Sequence, residues 1–111
     1  MKEVINEKKE IGYCRKLVRK LYKVEKSKEY PGELKFCIQY LYYQDNKWLE
    51  IVRIDNYLHQ NKSGTHIHFF NKKKVKWMEL NFKEAEKEVI RLAEKIIVFL
   101  EGEQNGKNND C

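Results

Sequence analysis

The chain has 111 residues, enough for one domain and too few for a two-domain enzyme. Lys and Arg number 23 against 17 Asp and Glu, so the formal charge is +6, which favours anionic partners. Hydrophobic residues make up 41%, enough for a compact core, and the longest apolar run, Ile96 to Leu100, is far short of a membrane span.

The N-terminus, Met1 to Glu7, is charged and lacks the apolar stretch of a secretory signal, so a cytoplasmic location and no membrane partner are expected. Cys14, Cys37 and Cys111 are odd in number and widely spaced, fitting neither a disulfide framework nor a zinc knuckle, and read as reduced thiols. Residues 1–30 carry a net +5 and residues 61–80 a net +4, while the other two stretches are slightly acidic. Any nucleic-acid footprint therefore belongs to these two basic regions.

Over residues 9–26, Ile11, Cys14, Leu17, Val18, Leu21 and Tyr22 fall on one side at 3.6 residues per turn. The other side carries Lys16, Arg19, Lys20, Lys23 and Lys26, which predicts an amphipathic helix with a basic face, ending before Pro31 and Gly32. From Glu33 the chain alternates as a strand through Tyr43. Gln44-Asp45-Asn46-Lys47 supplies turn residues, and Trp48 to Asp55 reads as the returning strand of a hairpin. Apolar residues on both faces of that second strand predict a central strand covered on at least part of each side.

Asn56 to Gly64 reads as a polar loop. Thr65 to Phe70 and Val75 to Leu80 are two further short strands around the basic turn Asn71-Lys72-Lys73-Lys74. Asn81 with Glu84 three residues on is a capping-box start for a helix whose stripe is Phe82, Ala85, Val89, Ala93, Ile96, Ile97 and Leu100. Gly102 fits its C-terminal cap, with a disordered polar tail over 103–111. The expected fold is a single α+β domain over 1–102: an N-terminal helix, a four-stranded antiparallel meander sheet, and a C-terminal helix packed on one sheet face.

Chemistry concentrates in Arg53-Ile54-Asp55-Asn56, His59 and His66-Ile67-His68, which hold all three histidines. Alternation along a strand points Arg53 and Asp55 one way, and likewise His66 and His68. Were the two strands antiparallel neighbours, both pairs would stand on one face with His59 above them. Four readings fit such a cluster. It is a solvent-facing salt-bridged sheet surface, or a metal site of two histidines and one carboxylate. It is an acid–base centre for an RNA phosphodiester, with histidines as base and acid, Arg53 on the phosphate and Asp55 orienting a histidine. Or it is a binding surface without chemistry, in which Lys16, Arg19, Lys20, Lys23, Lys72, Lys73 and Lys74 meet phosphates and rings such as Tyr40, Tyr42, Tyr43, Trp48 and Tyr57 stack on bases. The five glycines are isolated, so there is no phosphate loop.

The segment Trp48 to Asn56 ending Arg-Ile-Asp-Asn, with His59 and the following His66-Ile67-His68, resembles the TumE-type toxin family of prokaryotic toxin–antitoxin pairs. The resemblance spans residues 34 to 100 and includes the order of a sheet followed by a closing helix. Relatives more usually carry Tyr where Ile54 stands, and the N-terminal segment lies outside it. It implies a toxin held in check by a cognate antitoxin protein and acting on RNA or the translation apparatus, with Arg53, Asp55, His59, His66 and His68 as functional positions. The resulting expectation is an RNA-directed ribonuclease toxin needing no cofactor or metal. A noncatalytic nucleic-acid or antitoxin-binding module and a metal-dependent enzyme are the alternatives, and self-association stays open.

Overall fold

In the computed structural model, which describes residues 1–103, an all-antiparallel sheet of six strands runs in simple meander order with one helix across one face. The strands are β1 (Lys2–Gly12), β2 (Arg15–Lys23), β3 (Leu34–Gln44), β4 (Lys47–Asp55), β5 (His66–Phe69) and β6 (Lys76–Trp77), followed by α1 (Phe82–Glu103). The expected polar tail is Glu103, which ends α1, and 104–111, which lie outside the described residues. Gly102, the expected cap, sits within the last helical turn.

The N-terminal helix does not exist. Its residues form the β1–β2 hairpin, turning through Tyr13-Cys14 with Cys14 at φ 58°, so the sheet has six strands rather than four. The physical reason lies in a spacing that serves both periods. Leu17 and Leu21, and likewise Val18 and Tyr22, are four residues apart, which puts each pair on one side of a helix and equally on one side of a strand. As a strand, Leu17, Arg19 and Leu21 turn toward α1 while Lys16, Val18, Lys20 and Tyr22 turn to the opposite face. β1 is a mostly exposed edge, and its alternating Lys and Glu together with two register shifts guard it against pairing with another chain.

β4 is central, between β3 and β5, with α1 over one face and the segment that follows β4 over part of the other, but its apolar residues from Leu49 to Ile54 do not fall on both faces. The β3–β4 register passes from Leu41 opposite Glu50 to Tyr40 opposite Val52, leaving Ile51 as a one-residue bulge. The bulge inverts the alternation, so Leu49, Ile51, Val52 and Ile54 all pack toward α1, whereas Glu50, Arg53 and Asp55 face away. The β3–β4 turn is the two-residue Asp45-Asn46, both at positive φ as the tight hairpin turn requires.

The capping box closes reciprocally: Glu84 N donates to Asn81 Oδ1 at 2.8 Å and Asn81 N donates to Glu84 Oε1 at 2.9 Å. From there Ala85, Val89, Ala93 and Ile97, four apart and fully buried, lie on Ile38, Tyr40, Val52, Ile54 and Ile67. Arg15 to Glu94 (2.8 Å) and Arg19 to Glu86 (2.7 Å) tie the helix to β2, and the Tyr40 hydroxyl also donates to Glu94. Among the described residues no helix is long and apolar enough to cross a membrane. Cys37 is a free, buried thiol, and Cys14 is a buried core residue at the β1–β2 turn.

Candidate active site on the uncovered sheet face

The sheet face away from α1 is crossed by one row of paired residues: Lys20 opposite Cys37, Cys37 opposite Asp55, Asp55 opposite His66, and His66 opposite Trp77. The next row pairs Gln39 with Arg53 and Arg53 with His68. Antiparallel pairing thus sets the Arg53/Asp55 pair directly beside the His66/His68 pair.

The segment after β4 supplies the roof. Asn56 continues the β3 pairing, its Oδ1 accepting from Phe36 N and its Nδ2 donating to Leu34 O, each at 2.8 Å. His59 and Lys62 then exchange backbone hydrogen bonds of 3.0 and 2.9 Å around Gln60 and Asn61, both at positive φ. The expected loop therefore contains a small closed hairpin turn, which holds the His59 ring 5.1 Å from that of His66 and 5.5 Å from that of His68. Beneath it is a cleft of about 330 Å³ lined by Lys20, Cys37, Gln39, Arg53, Asp55, Tyr57, Leu58 and the three histidines.

Asp55 is the hub. It is 3% exposed and accepts hydrogen bonds from Tyr57 N (2.9 Å, Oδ1) and Arg53 Nε (3.1 Å, Oδ2). His66 Nε2 lies 3.2 Å from Oδ1 and His68 Nε2 3.5 Å from Oδ2. The His66 ring is sealed at 1% exposure against Trp77, with ring centroids 4.7 Å apart, and its Nδ1 lies 3.2 Å from the Gly64 carbonyl. Gly64 reaches that position at φ 116°, a conformation that favours glycine. Both His66 nitrogens thus face oxygen acceptors, and a neutral ring with one N–H can satisfy only one of them.

His68 differs. Its side chain is 19% exposed, and its Nε2 is buried without a hydrogen-bond partner among the described residues. Burial, followed by the Arg53 guanidinium, holds its pKa below the ordinary histidine value against the opposing pull of Asp55, so the ring is neutral near pH 7. The Cys37 thiol is pushed up to about 12 by burial and then by the Asp55 charge, which keeps it protonated and rules it out as a thiolate nucleophile at neutral pH.

Arg53, Asp55, His59, His66 and His68 therefore share one cleft. The basic residues named from sequence do not share one surface. Lys20 lines the cleft, and Lys16 is on the same sheet face, its Nζ 4.3 Å above the Trp48 ring. Arg19 points the other way, held by Glu7 and Glu86, so the basic helical face it was assigned to does not form. Lys23 ends β2. Lys72, Lys73 and Lys74 rim a separate apolar cleft between the β5–β6 turn and α1, floored by Phe69, Leu92, Ile96 and Phe99. Tyr40 and Tyr42 are core residues.

Sequence reasoning missed Cys37, Gln39, Trp77 and the Gly64 carbonyl. It also missed Lys35, whose Nζ lies 4.5 Å above the Tyr57 ring. The Asp45-Asn46 turn fixes the hairpin register, but counting outward from it without the Ile51 bulge sets Asp55 opposite Phe36 instead of Cys37. No family model, curated protein or solved structure matches the chain.

Proposed function

We propose that the chain is an RNA-cleaving enzyme, the toxin of a toxin–antitoxin pair, working in the cytoplasm by acid–base catalysis in the cleft beneath His59. The observation that carries this reading is the hub at Asp55: one buried carboxylate contacts Arg53 and faces His66 and His68, with His59 overhead. Cleavage through the 2′-hydroxyl needs a base for that hydroxyl, an acid for the leaving 5′-oxygen and a cation on the phosphate.

With Nε2 of His68 turned toward Asp55, the other ring nitrogen is the one left to take a proton from the 2′-hydroxyl. Asp55 stands behind the ring and stabilises the imidazolium as it forms. His59, on the roof, returns a proton to the leaving oxygen. Arg53, one-third exposed at its side chain, presents its remaining N–H groups to the phosphate, and Lys20 adds charge at the cleft wall. His66, sealed by Trp77 and Gly64, positions Asp55 and does not reach substrate. Lys16, Lys35 and Lys62 spread positive charge beside Trp48, Tyr57 and Trp77, a combination suited to the backbone and bases of a single strand. The resemblance of residues 48–68 to TumE-type toxins supports the same reading.

The test is cleavage of a labelled single-stranded RNA by purified protein in EDTA, with products carrying a 2′,3′-cyclic phosphate. H68A and H59A are expected to bind RNA and not cut it. RNA bound but left intact by every form would make the chain a binding module. Cleavage only after a divalent ion is added would make it a metal-dependent enzyme.

A further inference from the structure

The three imidazoles have a second use. Their ligand atoms all lie within 4.8 Å of one another. From this geometry we infer that His59, His66 and His68 form a binding site for a divalent transition ion of the zinc class, and that occupancy of the site switches the RNA-cleaving chemistry off.

Three features of the cluster lead there. The Gly64 carbonyl, 3.2 Å from His66 Nδ1, is placed to accept a hydrogen bond from Nδ1–H, and with the proton held there the Nε2 lone pair faces inward. A backbone carbonyl behind the outer nitrogen is how proteins fix the tautomer of a metal-bound histidine. With that tautomer, the lone pair and Asp55 Oδ1 meet at 3.2 Å as two acceptors, an arrangement that a cation between them relieves. Finally, His68 Nε2 is buried beside the same carboxylate with no partner among the described residues, a cost that coordination would remove. The donor set is nitrogen-rich, so it suits zinc or its neighbours rather than magnesium or calcium, which prefer oxygen. Tetrahedral zinc holds its ligand nitrogens about 3.3 Å apart, so the cluster must contract by about 1.5 Å. His59, on the roof turn and at the edge of the cleft, is the ligand placed to make that closure.

The coupling to activity follows from imidazole chemistry. A neutral ring that binds an ion through Nε2 carries its one proton on Nδ1. His68 so bound can donate from Nδ1 but cannot accept there, and the base assigned above is lost. His59 gives up its lone pair to the ion at the same time. The regulatory half of this inference rests on the proposed acid–base function; the site itself does not.

The experiment is calorimetric titration of chelator-treated full-length protein with zinc, with cobalt as a second probe whose visible spectrum reports nitrogen coordination, run beside RNA cleavage. One equivalent is expected to bind, H59A and H59Q to weaken binding by at least about 100-fold, and cleavage to stop at one equivalent and return with EDTA. Failure to bind, or binding unchanged in both His59 variants, overturns the site. Binding with cleavage undiminished overturns the switch. If the protein cuts no RNA in EDTA, the proposed function fails while the binding result still stands or falls by itself.

Discussion

His66 and His68 are two residues apart on one strand, yet the structure predicts opposite consequences for H66A and H68A. His66 is 1% exposed, packs on Trp77 and meets both Gly64 O and Asp55. As a neutral ring it donates to only one of these two oxygens, so its removal forfeits one hydrogen bond of ~1–2 kcal/mol and leaves a ring-sized void. The total is about 3–5 kcal/mol, a fall in Tm on the order of 10–20 °C for a domain of this length. Truncating His68 also removes contacts, but it takes away a buried nitrogen with no partner, whose burial itself costs ~1–3 kcal/mol. The two nearly cancel, so H68A is expected within about 1 kcal/mol of the parent while losing RNA cleavage. Thermal and urea unfolding followed by circular dichroism, in EDTA so that no ion contributes, measures both. Equal Tm losses in the two variants, or a stable H66A, would refute the division into a positioning and a reacting histidine.

R53K keeps the charge beside Asp55 but loses the planar fork, so stability should hold within about 1 kcal/mol while kcat/KM for RNA falls at least ~10-fold; parent-like kinetics would remove Arg53 from the phosphate. For Glu94, burial acts to raise the carboxyl pKa, but hydrogen bonds from Arg15 and Tyr40 and the Arg15 charge outweigh it, leaving the folded value below the ordinary 4.5. A depressed folded pKa gives stability that is present above the unfolded value and lost as pH falls through the folded one. E94Q should therefore be less stable at pH 7 by about 1 kcal/mol, given the partial exposure of Glu94, and should lose less than the parent on acidification below about pH 4.5; pH-dependent urea unfolding reads the difference. Neutralising Lys16, Lys20 and Lys35 to Gln should flatten the salt dependence of RNA binding by about 2 in log–log slope, at ~0.7 per phosphate contact for a single strand. The same change at Lys72, Lys73 and Lys74, which rim the other cleft, should flatten it less, and the reverse order would move the RNA path to the helix side.

What could be read from the sequence was whatever depends on near neighbours along the chain. Asn81 and Glu84 announce their helix because a capping box is complete within four residues, and Asp45-Asn46 announces its turn because positive φ suits both residue types. Arg53 with Asp55, and His66 with His68, share a face through simple alternation. The failures came where a local pattern has two solutions. Four-residue spacing at Leu17/Leu21 and Val18/Tyr22 is degenerate between helix and strand, and sheet pairing with β3 decides it. The Ile51 bulge is invisible in composition, yet it governs which residues of β3 meet Asp55, so Cys37 and Lys20 could not be placed at the cleft.

The bulge also explains why the site can exist on so small a sheet. Without a parity inversion at Ile51, the strand could not send Leu49 and Ile51 to the helix and still turn Arg53 and Asp55 away from it. Unbroken alternation would put the apolar pair Leu49/Ile51 and the polar pair Arg53/Asp55 on the same face. Either the core would lose two of its contacts or a guanidinium and a carboxylate would be buried beneath α1. One extra residue separates the two demands, giving the hydrophobic core one face of β4 along its whole length while the far half of the other face is released for chemistry. Deleting Ile51 would close the bulge into a regular strand in which Leu49, Val52 and Ile54 still face α1 while Glu50, Arg53 and Asp55 still face the cleft. The deletion variant is therefore expected to keep the site and to lose only what the fully buried Ile51 side chain contributes, about 2–5 kcal/mol by urea unfolding, whereas an inverted cleft in a folded variant would refute this account of the bulge.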